Sequence, residues 1–356
     1  MRPRLKPALR RIWRDATTLQ LGLNPAHATV IAGVDPVTAQ WLDGLDGTRD
    51  RAGALARAAD LGIDVAAASS LLDQLTERGA VDSGGADVVP LRDLPDSELD
   101  RLGPDLASLS LLHSRRDGGS VMAARRKRVV EVHGASRIGS SVALLCAAAG
   151  VGRLVVHDAA ITGAPDTSPG GLSLDARGRR RDEATRLAAR RVSSAVRIET
   201  RPSSVDLAIV TPPGAVDADL HERFMRDGVP HLIARIQETT GVIGPLVVPG
   251  RSSCLRCHDL HRCDRDPAWP RLAAQLATDP ARPSRGASAP VASACDVTLA
   301  AAVAAHAVMQ ALAFLDGQIT PSAVDGTVEV SLPDGGMRRR SWTPHPGCGC
   351  AWGAAS

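Results

Sequence analysis

Tyrosine is missing from this 356-residue chain, and two Phe and five Trp are all that remain for aromatic packing. Its cores must be assembled from Ala, Val, Leu and Ile. An excess of either charge is missing too: 42 Lys and Arg stand against 39 Asp and Glu, a formal net charge of +3. That balance excludes a global electrostatic pull toward nucleic acid or a membrane surface. No run reads as a membrane span, and the basic N-terminus (Arg2, Arg4, Lys6, Arg10, Arg11) is not followed by the apolar segment of a signal peptide. The expectation is a cytoplasmic protein with no nucleic-acid or membrane partner. In that compartment the seven cysteines point to metal or thiol chemistry rather than disulfides.

What is present is organised around residues 129–158. Val129, Val130 and Val132 form an apolar run that enters Gly134-Ala135-Ser136-Arg137-Ile138-Gly139, and an apolar helix follows. Gly150-Val151-Gly152 stops that helix, and Arg153 to Asp158 reads as a second strand ending in an acid. Strand, glycine turn, helix and strand with a terminal carboxylate form a dinucleotide-fold fingerprint. Its middle glycine is Ser136, which restricts close approach of a phosphate to the backbone. Alternating strand and helix patterns continue to Val248, which predicts an α/β, doubly wound, Rossmann-like sheet. The guanidinium cluster Arg179-Arg180-Arg181 fits a phosphate clamp and fits a solvated helix start equally well.

Upstream, residues 1–82 read as a small α+β module. Two strands flank Asn24-Pro25, and three short helices follow, the last with Asp64 at its N-cap and Gly79 past its end. Two strands and three short helices suggest a winged-helix module, either purely structural or functional. Its third helix, with Asp64, Asp73 and Glu77 against Arg78, suits phosphates poorly. Residues 83–124, punctuated by Gly84-Gly85, Pro90, Pro95 and Pro104 and polar from Arg115 to Gly119, read as a connector, and residues 125–352 as the main domain.

Cys254-Leu255-Arg256-Cys257 and Cys348-Gly349-Cys350 lie roughly 90 residues apart. Four thiolates satisfy a tetrahedral Zn²⁺ that clips the tail to the core; two unrelated thiol pairs, or redox dithiols, are the competing readings. Cys146 falls in the apolar helix and reads as core, while Cys263 and Cys295 have no assigned role. Between the pairs, His258 to Pro290 reads as a long surface loop with one short helix near Arg271, and Asp296 to Leu315 as a buried Ala-rich helix.

In this order, the central turn, the strand ending in Asp158, Pro249-Gly250 before Cys-x-x-Cys, the Ala-rich helix and the closing Cys pair resemble the ThiF/MoeB, ubiquitin-activating-enzyme-like superfamily over about residues 125–352. The resemblance implies a structural Cys₄ zinc, a homodimer and Mg·ATP-dependent adenylation of a C-terminal carboxylate. It places nucleotide contacts at Gly134, Ser136, Gly139, Asp158 and Arg181, the last where the family has Lys. Residues 1–82 are similar to PqqD-like modules that take up a leader peptide on a strand edge. The fused pair is similar to partner proteins of azoline-forming cyclodehydratases. A peptide or small protein substrate and a cyclodehydratase-type partner enzyme are therefore expected.

The departures shape the functional expectation. Ser136 and Arg137 replace two glycines of the family turn, and Thr211-Pro212-Pro213 stands where the family has a Mg²⁺-holding Asp. Thr167 to Leu172 replaces the family's Asn-Leu-x-Arg-Gln stretch. Without the metal carboxylate, phosphoryl chemistry loses a main source of charge stabilisation. No residue is nominated as catalytic. The expected function is a non-adenylating, peptide-binding scaffold; the alternatives are an active adenylyltransferase and a nucleotide-sensing regulator.

Overall fold

The computed structural model describes residues 1–84, 89–113, 117–277, 294–317 and 319–350. Expectations for Gly85, Arg115, Pro280, Pro283, Pro290 and residues 351–352 fall outside the described residues. The chain divides into two compact units, Met1–Ala124 and Arg125–Ser356.

In the first unit β1 (Pro3–Leu5) pairs antiparallel with β5 (Val81–Ser83), and β2 (Arg11–Trp13), β3 (Leu19–Leu21) and β4 (Thr29–Ile31) form an antiparallel sheet in that order. Three helices follow β4: α1 (Pro36–Asp43), α2 (Arg51–Asp60) and α3 (Val65–Glu77). Asp35, Asp50 and Asp64 cap them, each carboxylate accepting an amide N–H from the first turn. Their inward faces bury Trp41, Leu42, Leu72 and Leu75 against Leu19 and Leu21. The Trp41 indole donates to the Ala54 carbonyl at 2.9 Å, so its one polar atom is satisfied in the core.

Residues 83–124, read from sequence as a connector, carry two helices, α4 (Asp96–Leu112) and α5 (Gly118–Arg125). Pro104 sits inside α4. An interior proline ordinarily ends a helix, which is why the sequence pattern broke there. Burial of Leu102, Leu106 and Leu109 holds α4 together instead. The Ser110 carbonyl accepts from the buried Lys6 ammonium and its hydroxyl donates to Asp82 at 2.7 Å.

The second unit is built on one eight-stranded sheet, ordered β13-β12-β11-β10-β9-β6-β7-β8. Its strands are β6 (Val129–His133), β7 (Arg153–His157), β8 (Arg197–Ile198), β9 (Leu207–Val210), β10 (His231–Gln237), β11 (Thr240–Val247), β12 (Gly326–Ser331) and β13 (Gly336–Ser341). From β8 to β10 neighbours run parallel, and from β10 to β13 antiparallel. The chain winds outward from β6 to β7 and β8, then returns to the other side of β6 through β9. The carboxyl end of β6 is thus the topological switch point, where ligands of such sheets bind.

Helices α6 (Arg137–Ala148) and α11 (Val297–Asp316) cover one face, packing Val142, Cys146, Val303 and Ala307 on Val130, Val132, Leu207 and Ile209. On the other face Phe224 of α8 (Ala218–Arg226) packs on Ala208, Val210 and Ile233. α7 (Arg181–Val192) packs beside α6 and β7.

Two expectations need correction. α11 is 20 residues long and apolar enough to cross a membrane by length and composition. Val297 to Leu315 carries no charged residue, so a run of that length is present where none was expected, and the fold buries Leu299, Val303, Ala304, Ala307 and Ala311 in the core, as the Ala-rich pattern implied. The segment after Cys254 is not a loop throughout: α9 (Leu255–Arg265) precedes α10 (Trp269–Ala277). α9 buries only Cys257 and His258, so it left no apolar period to detect.

Candidate functional site

At the switch point β6 enters the glycine turn. Gly134 has φ of +88°, and a side chain there would meet the Thr211 carbonyl at 2.6 Å. A side chain on Gly139 would collide with the Gly134 carbonyl oxygen, so that glycine lets the first turn of α6 press onto the turn. In such fingerprints the first glycine makes the turn, the second admits the pyrophosphate, and the third permits close helix–strand packing. The two retained here perform the turn and packing roles. The one replaced, by Ser136, is the one whose role is to admit a ligand.

Thr211, the first residue after β9, is 2% exposed and packs into the turn. Its amide donates to the His133 carbonyl at 2.8 Å. Its hydroxyl donates toward the Gly134 carbonyl at 3.1 Å and the His133 carbonyl at 3.2 Å. The Thr211 side chain is thus engaged with the backbone of the glycine turn.

Asp158 follows β7. One carboxylate oxygen accepts the Ala135 amide at 2.8 Å and the other the Ala160 amide at 3.0 Å. Arg181 opens α7 and bridges two acids, lying 3.5 Å from Asp158 and 2.9 Å from Asp166. Asp166 also accepts the Gly163 amide at 2.8 Å. Asp182 is held by Arg180 and Arg186 at 2.9 Å and 3.3 Å, and the Arg180 contact is the main reason its carboxyl sits below the usual range. The carboxylates around this turn are therefore engaged with cations and amides of the chain itself.

Ser136 is the N-cap of α6 and makes no side-chain cap hydrogen bond. Arg137 reaches away from the turn, its guanidinium donating to the Cys295 carbonyl at 2.6 Å. The 167–172 segment lies against α6, with Gly171 beside the Ser140 and Ser141 hydroxyls and Ser168 3.2 Å from Ser141. Sequence reasoning placed Gly134, Ser136, Gly139, Asp158 and Arg181 near one another. It missed Asp166 as the second partner of Arg181 and the inward role of Thr211, because neither belongs to a spaced motif.

The second feature is the cysteine cluster. Cys254 caps α9 and Cys257 lies in its first turn, while Cys348 and Cys350 arrive from the tail. Sulfur separations are 3.8 Å for Cys254–Cys257, 3.5 Å for Cys254–Cys348 and 3.3 Å for Cys257–Cys350, and all four sulfurs lie within 4.8 Å of one another. Zn–S bonds of ~2.3 Å in a tetrahedron separate sulfurs by ~3.8 Å, so the four residues fit that ion. Burial pushes the Cys254 thiol up to about 11, a penalty on thiolate that a dication reverses. Apart from both features, a cavity of about 340 Å³ opens among Arg262, Arg265, Trp269, Glu329, Arg340 and Trp342.

No protein-family model matches this chain, and no curated protein matches it. Solved structures do. E. coli MccB in complex with AMPCPP and MccA superposes with a TM-score of 0.73 at 13% identity, covering 99% of each chain. The chain has an MccB-like fold. E. coli MccB with ATP gives a TM-score of 0.71 at 14% identity, over 99% of this chain and 100% of that one. PaaA gives 0.71 at 14% identity over 95% and 99%. The second unit thus has the mixed α/β architecture around a central sheet that the alternating strand and helix patterns implied. The likeness to MccB extends across the first unit as well.

Proposed function

We propose that this chain is a peptide-binding scaffold of ThiF-like fold that does not adenylate its ligand. The observation that carries this reading is the state of the glycine turn. Its ligand-admitting glycine is Ser136, its Thr211 hydroxyl is spent on backbone carbonyls, and its acids are engaged with Arg181, Arg180 and backbone amides. Binding of Mg·ATP would compete with several of these contacts.

The peptide would be taken up by the first unit, read as a PqqD-like winged helix. β4 ends its three-stranded sheet, with Val30 exposed and Thr29 and Ile31 buried. A terminal strand offers unpaired N–H and C=O groups to an extended peptide, and neighbouring pockets select alternate side chains. MccB has been crystallised with MccA, there together with AMPCPP, which supports capture of a second molecule by this fold. The second unit would dock a cyclodehydratase-type enzyme, as a homodimer, with Zn²⁺ held by Cys254, Cys257, Cys348 and Cys350 as a structural clip.

One observation favours the alternative, an active adenylyltransferase. Because Ser136 leaves α6 without a side-chain cap, its first amides remain open to an anion. Calorimetry separates the two readings. The scaffold reading expects a leader-type peptide to bind without nucleotide and Mg·ATP to leave that affinity unchanged. Peptide binding that requires Mg·ATP would overturn it.

A further inference from the structure

We propose that Glu131, His133 and His157 form a site for a borderline divalent transition-metal ion such as Zn²⁺ or Co²⁺, separate from the four cysteines. The inference stands whether or not the second unit adenylates anything.

The placement follows from strand geometry. Glu131 and His133 stand two apart on β6 and so share a face, opposite the one on which Val130 and Val132 meet α6 and α11. His157 is the register partner of His133 on β7. The longer Glu131 side chain reaches forward, and both imidazoles reach toward it. The Nε2 atoms of His157 and His133 lie 2.6 Å and 3.2 Å from the same oxygen, Glu131 Oε1. The two rings stack at 4.7 Å with an interplanar angle of 23°, and Phe224 meets His133 edge-on at 5.5 Å. Packing therefore holds the His133 ring in orientation from two sides.

A hydrogen-bonded Glu–His pair accounts for part of this cluster only. His157 makes a well-formed bond to Glu131. His133 Nε2 does not: it is buried and has no hydrogen-bond partner despite its short distance to the oxygen. The ligand atoms of Glu131, His133 and His157 all lie within 4.8 Å of one another, and His133 Nε2 stands close to Oε1 without a formed hydrogen bond. Buried polar atoms are rarely left in that condition without an ion or water.

The donor set selects the metal. Two imidazole nitrogens and one carboxylate suit Zn²⁺ or Co²⁺, whereas Mg²⁺ requires oxygen ligands and keeps its waters. Bonds of ~2.0–2.1 Å to a tetrahedral ion set donors ~3.3 Å apart, close to the His133–Glu131 separation. The His157 contact must open slightly. Its side chain is 42% exposed and can move, and the same exposure provides an entry path and a fourth position for water.

The probe is Co²⁺ alone, titrated into the metal-stripped, reduced full-length chain. Two ions are expected. One gives intense thiolate-to-metal absorption from the cysteine cluster. The other gives weaker visible bands with no sulfur contribution. His157→Ala, at an exposed position that should not affect folding, is expected to lower affinity for the sulfur-free ion by more than the ~10–100-fold that loss of an outer partner costs, leaving the thiolate band intact. Glu131→Gln is expected to do the same. A wild-type titration that shows only the thiolate-bound ion would overturn the proposal. So would a sulfur-free ion bound with unchanged affinity by His157→Ala.

Discussion

The Thr211 hydroxyl donates to the Gly134 carbonyl at 3.1 Å, joining the residue after β9 to the turn after β6. The contact stitches two adjacent parallel strands at the switch point and uses the one polar group Thr211 has. Where a metal-holding carboxylate was expected from the resemblance, the chain has a hydroxyl that serves the fold.

Replacing Thr211 therefore tests the geometry. Thr211→Asp would set a carboxylate against the carbonyls of His133 and Gly134 in a buried position. A loss of about 3–5 kcal/mol is expected, the cost of an uncompensated buried charge, measured by urea unfolding. A stable variant with tighter ATP binding would show that position 211 faces the nucleotide after all.

The fold was legible because Leu154–Val156 of β7 and Leu207–Val210 of β9 are continuous apolar runs, as strands buried on both faces must be, and because Val129, Val130 and Val132 mark β6. The fingerprint glycines were legible as well, since Gly134 and Gly139 are required by backbone geometry. What escaped were features without periodicity. β1, β2 and β5 are three residues each, too short for alternation to register. α4 was hidden by Pro104 and α9 by its polar surface. The Glu131, His133 and His157 cluster was invisible because it depends on the register between β6 and β7, which one sequence does not disclose.

The cysteine cluster predicts a metal-dependent tail. Cys348→Ser is expected to lower bound zinc by about one equivalent per chain and to reduce the melting temperature, because metal-binding energy is folding energy. Elemental analysis together with calorimetry tests this. Wild-type protein prepared without chelator and found to lack thiolate-bound zinc would contradict it.

The buried pair Arg125–Asp316, with side chains 4% and 7% exposed, is bidentate at 3.1 Å and 2.5 Å. Asp316→Ala is expected to destabilise the second unit by about 3–5 kcal/mol, since it leaves a buried guanidinium without its counter-ion. Denaturant unfolding measures this, and a change below about 1 kcal/mol, the range of exposed pairs, would show that the pair is solvated.

His231 predicts an acid limb. Burial, partly offset by its bond to the Val229 carbonyl, pushes its pKa down to about 4. An unfolded histidine titrates near ~6.5, so between those values the unfolded chain binds more protons. Stability contributed by neutral His231 is complete above about pH 6.5 and falls as pH drops toward 4, by roughly 3 kcal/mol. His231→Gln should flatten that limb in unfolding curves at pH 7 and pH 5. An unchanged slope would assign the acid sensitivity elsewhere.

The β4 edge predicts peptide capture. Val30→Pro is expected to reduce leader-peptide affinity at least tenfold in fluorescence anisotropy while circular dichroism of the chain is retained, because proline removes a ladder donor at an exposed edge. Unaltered binding would move the peptide site off β4.

Carboxylate-dependent exchange of pyrophosphate into ATP reports adenylation directly, whatever peptide is activated. With purified zinc-replete protein, Mg²⁺ and peptides shown to bind the first unit, the account predicts exchange no faster than in controls lacking protein. Rapid exchange that depends on the peptide carboxylate would contradict it and establish the second unit as an adenylating enzyme.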